Sequence, residues 1–287
     1  MLTNESIYAG PSVKPMAKYK GLDCSRLIQE YPAKLQTLQQ VDEALMKRIA
    51  LLSNSNPDYW AFPSGAAPRD AHAFFRYPAM MVPSMQRELL KIITELQPNI
   101  GSVLEPFAGS GTVMVESILA GLSVRAQDVN PLAILLCKAK SGPFYPCKLE
   151  KHAAQISALI QLDKGRTIDV EFENRAKWFT TKVSVGLSKI RRAILQIPDC
   201  ASRRFFWVAL AETVRRTSNS RTSTYKLHIR TDESISQISD VLHVYDNISR
   251  ANLERYTNYV DQLRNAGRLK NYQCNVKIDI RIADSRD

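Results

Sequence analysis

The sequence predicts an α/β protein: a doubly wound parallel sheet, only partly present, with a mostly helical, basic insertion. Three observations carry this. Helix-like and strand-like runs alternate over residues 84 to 140, a Gly-rich turn sits at a strand-to-helix junction, and one strand-like run returns near the C-terminus after a long helical stretch. With 287 residues and 45% apolar composition the chain can bury a core.

Residues 1–70 read as a loosely organised N-terminal segment with one helix, about Pro32 to Leu52, followed by the turn-rich SNSNPDYWAFPSGAAPRD. From Ser84 the pattern tightens. MQRELLKIITEL is an amphipathic helix with Met85, Leu89, Ile92, Ile93 and Leu96 on one face, GSVLEPF is a strand, and TVMVESILAGL is a helix closing at Gly121. SVRAQDV is a second strand and NPLAILLCKAKSG the next helix. These place a sheet domain at 71–147, resumed at 270–287, with 148–269 as the insertion. The insertion is expected to end in one long helix from Thr231 to Gly267 with Ile235, Ile238, Leu242, Tyr245 and Ile248 along its apolar stripe. Val276, Ile278, Ile280 and Ile282 then alternate as a strand of period two.

Net charge is +11, and it is concentrated: residues 175 to 230 hold thirteen Lys/Arg against Asp199 and Glu212, while the other residues balance. A neutral scaffold with one cationic segment suits a phosphate-backbone ligand, because neutralising phosphates releases counterions. Within it Arg215, Arg216, Asn219 and Arg221 are the candidate nucleic-acid contacts, the arginines for phosphates and the amide for phosphate or base edges. Trp178, Phe179, Phe205, Phe206 and Trp207 fit helix packing better than base stacking. Five scattered cysteines without a CxxC pair predict reduced thiols and no metal site. No run of ~18 apolar residues and no secretory h-region is present, so a cytoplasmic protein away from membranes is expected.

The most specific motif is Leu104-Glu105-Pro106-Phe107-Ala108-Gly109-Ser110-Gly111-Thr112. Gly109 and Gly111 allow a sharp turn and close approach to a ligand. A dinucleotide fingerprint would need glycine where Met114 stands, and a phosphate-binding P-loop would need a Gly-Lys pair that is absent. Asp128, at the tip of the next strand, lies where an acid would hydrogen-bond ribose hydroxyls.

EPFAGSGT followed by QDVNPLA resembles the S-adenosylmethionine loop and the acid-Asn-Pro loop of DNA amino-methyltransferases acting on adenine N6 or cytosine N4. That resemblance implies a Rossmann-like methyltransferase sheet and S-adenosylmethionine as cofactor. It assigns cofactor contacts to Glu105, Pro106, Phe107, Gly109, Gly111, Thr112, Asp128 and Asn130. The upstream HAFFRYPAMMVP resembles the segment that completes the methionine end of the pocket, with Tyr77 and Pro78 as its wall, and Asp284 resembles the strand-end acid that meets the adenine. DNA is the implied partner, in a restriction–modification or related system.

The family's Asp/Asn/Ser-Pro-Pro-Tyr/Phe loop, which holds the flipped target base, has no counterpart in the sequence. Asn56-Pro57-Asp58-Tyr59 and Gly142-Pro143-Phe144-Tyr145 are incomplete matches. In the family's motif order it would follow Asp287, so no catalytic residue is assigned, and the expectation is a cofactor-binding part, split or truncated, that needs a second polypeptide. Two alternatives stand beside it: an RNA guanine-N2 methyltransferase, which shares a similar loop, and a non-catalytic nucleic-acid-binding remnant.

Overall fold

The computed structural model describes residues 32–62, 68–221, 228–238 and 240–286, with side chains from residue 39 onward. The expectations for residues 1–31, among them Cys24, lie outside the described residues, as do 63–67 and Asp287. Two compact units divide the chain, one through Lys47 and one from Arg48 to Asp287. Helix α1 (Pro32–Ser55) is followed in the second unit by a 3-10 turn (Asp70–Ala73) and α2 (Pro83–Leu96). Then come β1 (Ser102–Glu105), α3 (Thr112–Ala120), β2 (Ser123–Asp128) and α4 (Pro131–Lys140), in the alternation the sequence predicts.

The sheet runs β1-β2-β5, all parallel, with β5 at Ile278–Ile282. Val103, Val124 and Ile278 share one row and Ala126 and Ile280 the next, because alternate residues point to the same face. Val124 and Ala126 are buried in the core. On the opposite face Leu104 is 65% exposed, and Arg125 pairs with Asp279 at 3.5 Å.

Local chemistry sets the helix ends. Asn130 caps α4 by accepting from the Leu132 N–H at 3.0 Å, with Pro131 at the first helical position. Gly121 closes α3 at φ +87°, and the space where a Cβ would stand holds the Arg268 guanidinium, which donates to the Leu119 and Ala120 carbonyls at 3.1 Å.

The insertion supplies α5 (Pro146–Leu162), α6 (Arg175–Trp178), α7 (Thr181–Leu195), α8 (Cys200–Thr217), α9 (Asp232–Ser236) and α10 (Val241–Asn265). The single helix expected from Thr231 to Gly267 is therefore two. Thr231 caps α9 through the Ser234 N–H, and the Ser236 hydroxyl bonds back to the Glu233 carbonyl; such short polar side chains compete for backbone groups and end the first piece after one turn. The C-terminal run also holds more than one strand. A hairpin of β3 (Leu269–Lys270) and β4 (Gln273–Cys274), turning at Asn271 and Tyr272 with φ +51° and +60°, precedes β5.

The insertion's helices share the sheet's core. Phe74, Phe205 and Tyr256 form an aromatic cluster that continues through Phe144 to Tyr259. Helix α10 also grips the segment ahead of the sheet: Asn252 Nδ2 donates to the Phe74 carbonyl and Arg255 Nη1 to the Ala73 carbonyl, both at 3.1 Å. From the other side His72 Nε2 bonds Glu116 Oε1 on α3 at 2.9 Å, and Arg87 donates to the same carboxylate at 2.8 Å. Among the described residues no helix is long and apolar enough to cross a membrane, and no cluster of three or more His, Cys, Asp or Glu is gathered for a metal.

Candidate cofactor and nucleic-acid site

The Gly-rich loop leaves β1 and turns into α3 with Gly109 at φ +49° and Gly111 at φ +77°, the left-handed region that favours glycine. Asp128, at the end of β2, ties it down: Oδ2 accepts from Gly109 N and Oδ1 from Asn130 N, each at 2.8 Å. Asn130 Nδ2 reaches the Tyr77 hydroxyl at 3.2 Å, and the Tyr77 ring lies 3.5 Å from where a Gly109 Cβ would be. Three stretches far apart in sequence thus meet at the C-terminal end of the sheet, where open α/β folds bind ligands.

Glu105 accepts from the Phe107 N–H at 3.1 Å, and burial, with Asp128 nearby, pushes its carboxyl above the usual range. Phe107 projects outward, 71% exposed, beside half-buried Pro106, and Pro78 is exposed in the turn after Tyr77. Thr112 is the correction within this set. At 2% exposure, with its hydroxyl 3.2 Å from that of Ser110, its side chain is packed into the protein and braces the loop's own turn. Ala283 N donates to the Asp128 carbonyl at 3.2 Å, which sets Asp284 at the same edge; the Arg286 guanidinium holds the Asp284 carboxyl down to about 2.

The cationic segment is less free than its composition implies. Arg175 pairs with Glu171, and Arg191 and Arg192 pair with Asp169 and Asp163, acids lying just upstream of the basic window. Glu212, 3% exposed, accepts from Arg215 Nη2 and Arg216 Nε at 2.7 Å, and these guanidinium groups hold its carboxyl below the ordinary range against burial. The Glu-x-x-Arg-Arg spacing, i to i+3 and i+4 on a helix, is a signal the sequence carried for this clamp.

Asn219 departs further from expectation: it is 4% exposed and turned inward, its amide donating to the Lys177 carbonyl at 3.0 Å. It braces the turn after α8 while Arg216 and Arg221 face outward. A cleft of about 1030 Å³ opens there, lined by Arg76, Tyr77, Glu212, Arg215, Arg216 and Arg230 among others. Tyr77 is common to the cleft and the loop, so a ligand in one lies beside a ligand in the other. Arg230 escaped sequence reasoning because its role depends on packing: its guanidinium bonds the Ser220 and Arg216 carbonyls at 2.9 and 3.1 Å.

A parallel sheet, a Gly-rich loop, an acid-Asn-Pro turn and the Tyr77 ring thus come together at one edge of the molecule. The chain is similar to the Type II methyltransferase M.MvaI of Kocuria varians, 29% identical over 209 residues, covering 70% of this chain and 46% of that protein. This relationship bears out the resemblance to DNA methyltransferases, and the chain spans about half the length of the curated relative it matches. No family model matches the chain, and no solved structure does.

Proposed function

We propose that the chain is the S-adenosylmethionine-binding part of a DNA methyltransferase acting on an exocyclic amine, adenine N6 or cytosine N4. The observation that carries it is the convergence on Asp128, whose two oxygens hold Gly109 N and Asn130 N at 2.8 Å while Tyr77 closes the other side. The residues fit the cofactor. The glycines admit close approach, Asp128 keeps lone pairs for ribose hydroxyls beyond the two bonds it accepts, Glu105 offers a carboxylate to the cationic end, and exposed Phe107 and Asp284 flank the place for the adenine. When bound, S-adenosylmethionine supplies an electrophilic methyl on its sulfonium. The protein's part is to orient it, with Tyr77 and Pro78 separating it from the cationic cleft.

The sequence holds no Asp/Asn/Ser-Pro-Pro-Tyr/Phe tetrapeptide. Methyl transfer in this reading draws the acceptor loop from polypeptide outside these residues. Among the described residues β1 pairs only with β2, and its other edge, beside exposed Leu104, is open to such a strand.

Isothermal titration of S-adenosylmethionine into the chain is expected to show one-site binding, with no methyl transferred to duplex DNA until the complementing polypeptide is added. Absence of binding would overturn the assignment. Gly109→Val is expected to abolish the titration heat, because a β-branched residue is strained at φ +49° and its methyls meet the Tyr77 ring. Unchanged affinity in that variant would move the cofactor elsewhere.

DNA is proposed to lie along the cleft. Removing Arg216 and Arg221 together is expected to flatten the dependence of log K on log salt by roughly 0.9 for each phosphate no longer neutralised. Fluorescence anisotropy on a labelled duplex across a salt series checks this. An unchanged slope would place the DNA on another face.

A further inference from the structure

Lys140, the last residue of α4, is 1% exposed, and its ammonium donates to the Ser110 carbonyl at 2.6 Å from beneath the Gly-rich loop. Among the described residues no carboxylate stands within ion-pair distance of it. A buried ammonium is costly, and a methionine of similar shape would fill the space without a charge. The ammonium has one evident task. Ser110 sits between the two left-handed glycines, and the next peptide N–H, Gly111, donates to the Ala108 carbonyl at 2.7 Å, so the Ser110–Gly111 peptide plane is pinned at both ends.

We propose that Lys140 is a positioning residue of the cofactor loop, its protonated amine holding Gly109-Ser110-Gly111 in the shape that receives S-adenosylmethionine. This rests on the reading of that loop as the cofactor site. A charge-assisted bond is roughly twice as strong as a neutral one, so the loop slackens when the amine loses its proton.

Burial pushes Lys140 down to about 8, with Cys137, one turn earlier on the same helix, the group that acts on it electrostatically. Burial pushes the Cys137 thiol up to about 11. His72, from the 3-10 turn, is lowered mainly by its own burial and also feels Lys140; it bonds Glu116 of α3, which Arg87 of α2 bridges in turn.

The sign for stability is opposite to that for binding. Lys140 titrates near 8 when folded and near 10.5 when exposed, so between these values the unfolded chain binds the extra proton and folding stability gains as pH rises. Over the same window S-adenosylmethionine affinity falls. A buried lysine that merely filled space would give the stability response but not the binding response, so the affinity series is the readout that tests the positioning role.

The experiment is calorimetric titration of S-adenosylmethionine into the full chain and into Lys140→Met and Lys140→Arg from pH 7 to 9.5, with thermal melts of each. Taking ratios to the wild type cancels the ligand's own amine titration. Lys140→Met is expected to bind about tenfold more weakly at pH 7 and to converge on the wild type by pH 9.5, while gaining in melting temperature most at pH 7. Lys140→Arg keeps its charge throughout, so its affinity relative to wild type is expected to rise about tenfold across the series, and it serves if the methionine variant does not fold. A pH-independent ratio for the folded variants overturns the proposal while leaving the loop assignment standing. Failure of the wild type to bind at any pH overturns the loop assignment and this proposal with it.

Discussion

Asp128→Ala is expected to weaken S-adenosylmethionine binding about 100-fold, since it removes two charge-assisted hydrogen bonds that shape the site at roughly 1.5 kcal/mol each. Both bonds, to Gly109 N and Asn130 N, measure 2.8 Å. Their loss frees the Gly-rich loop and the Asn-Pro turn together, and Asn130 in turn carries the link to the Tyr77 hydroxyl. Asp128→Asn keeps one accepting oxygen and is expected to lose about tenfold. Calorimetry at matched circular dichroism separates binding from folding. An Asp128→Ala variant that binds as the wild type does would show that the cofactor does not use this turn.

Phe74→Ala is expected to cost about 3–4 kcal/mol of stability, in the range for removing a buried phenyl ring. Phe74 is 1% exposed, stacks on Tyr256 at 6.2 Å and meets Phe205 edge-on at 5.8 Å. Its carbonyl is also held by Asn252, so the residue joins α8, α10 and the segment that presents Tyr77 three positions later. Urea denaturation checks the stability, and the unchanged slope expected for an intact denatured state makes the midpoint a fair measure. A loss below about 1 kcal/mol would mean that the segment is anchored elsewhere, since full burial of such a ring is worth more. Cofactor affinity is expected to fall with it, because Tyr77 stands beside Gly109 in the proposed site.

Much of the site was legible because its signals are local. Glycines at 109 and 111 reveal a left-handed turn, Asn130-Pro131 reveals a helix start, and alternation around Val124 and Ile280 reveals strands buried on one face. Thr112 and Asn219 were misplaced for the same reason: residue type suggests hydrogen bonding but not its direction, and both are turned into the protein. The arginines of the basic segment show this at larger scale. Counting charge along the chain separates them from Asp163, Asp169 and Glu171, which lie just outside the window yet neutralise them in space.

The sequence by itself determined the α/β alternation, the Gly-rich loop and its acid-Asn-Pro companion, because backbone conformation and period depend on near neighbours. Tertiary structure alone decided that Tyr77 stands over Gly109, that the insertion shares the sheet's core and holds the Tyr77 segment in place, and that Lys140 carries the loop from below. Those contacts join residues thirty or more positions apart, and their partners are chosen by packing, burial and the need to satisfy buried polar groups, which no short window of sequence expresses.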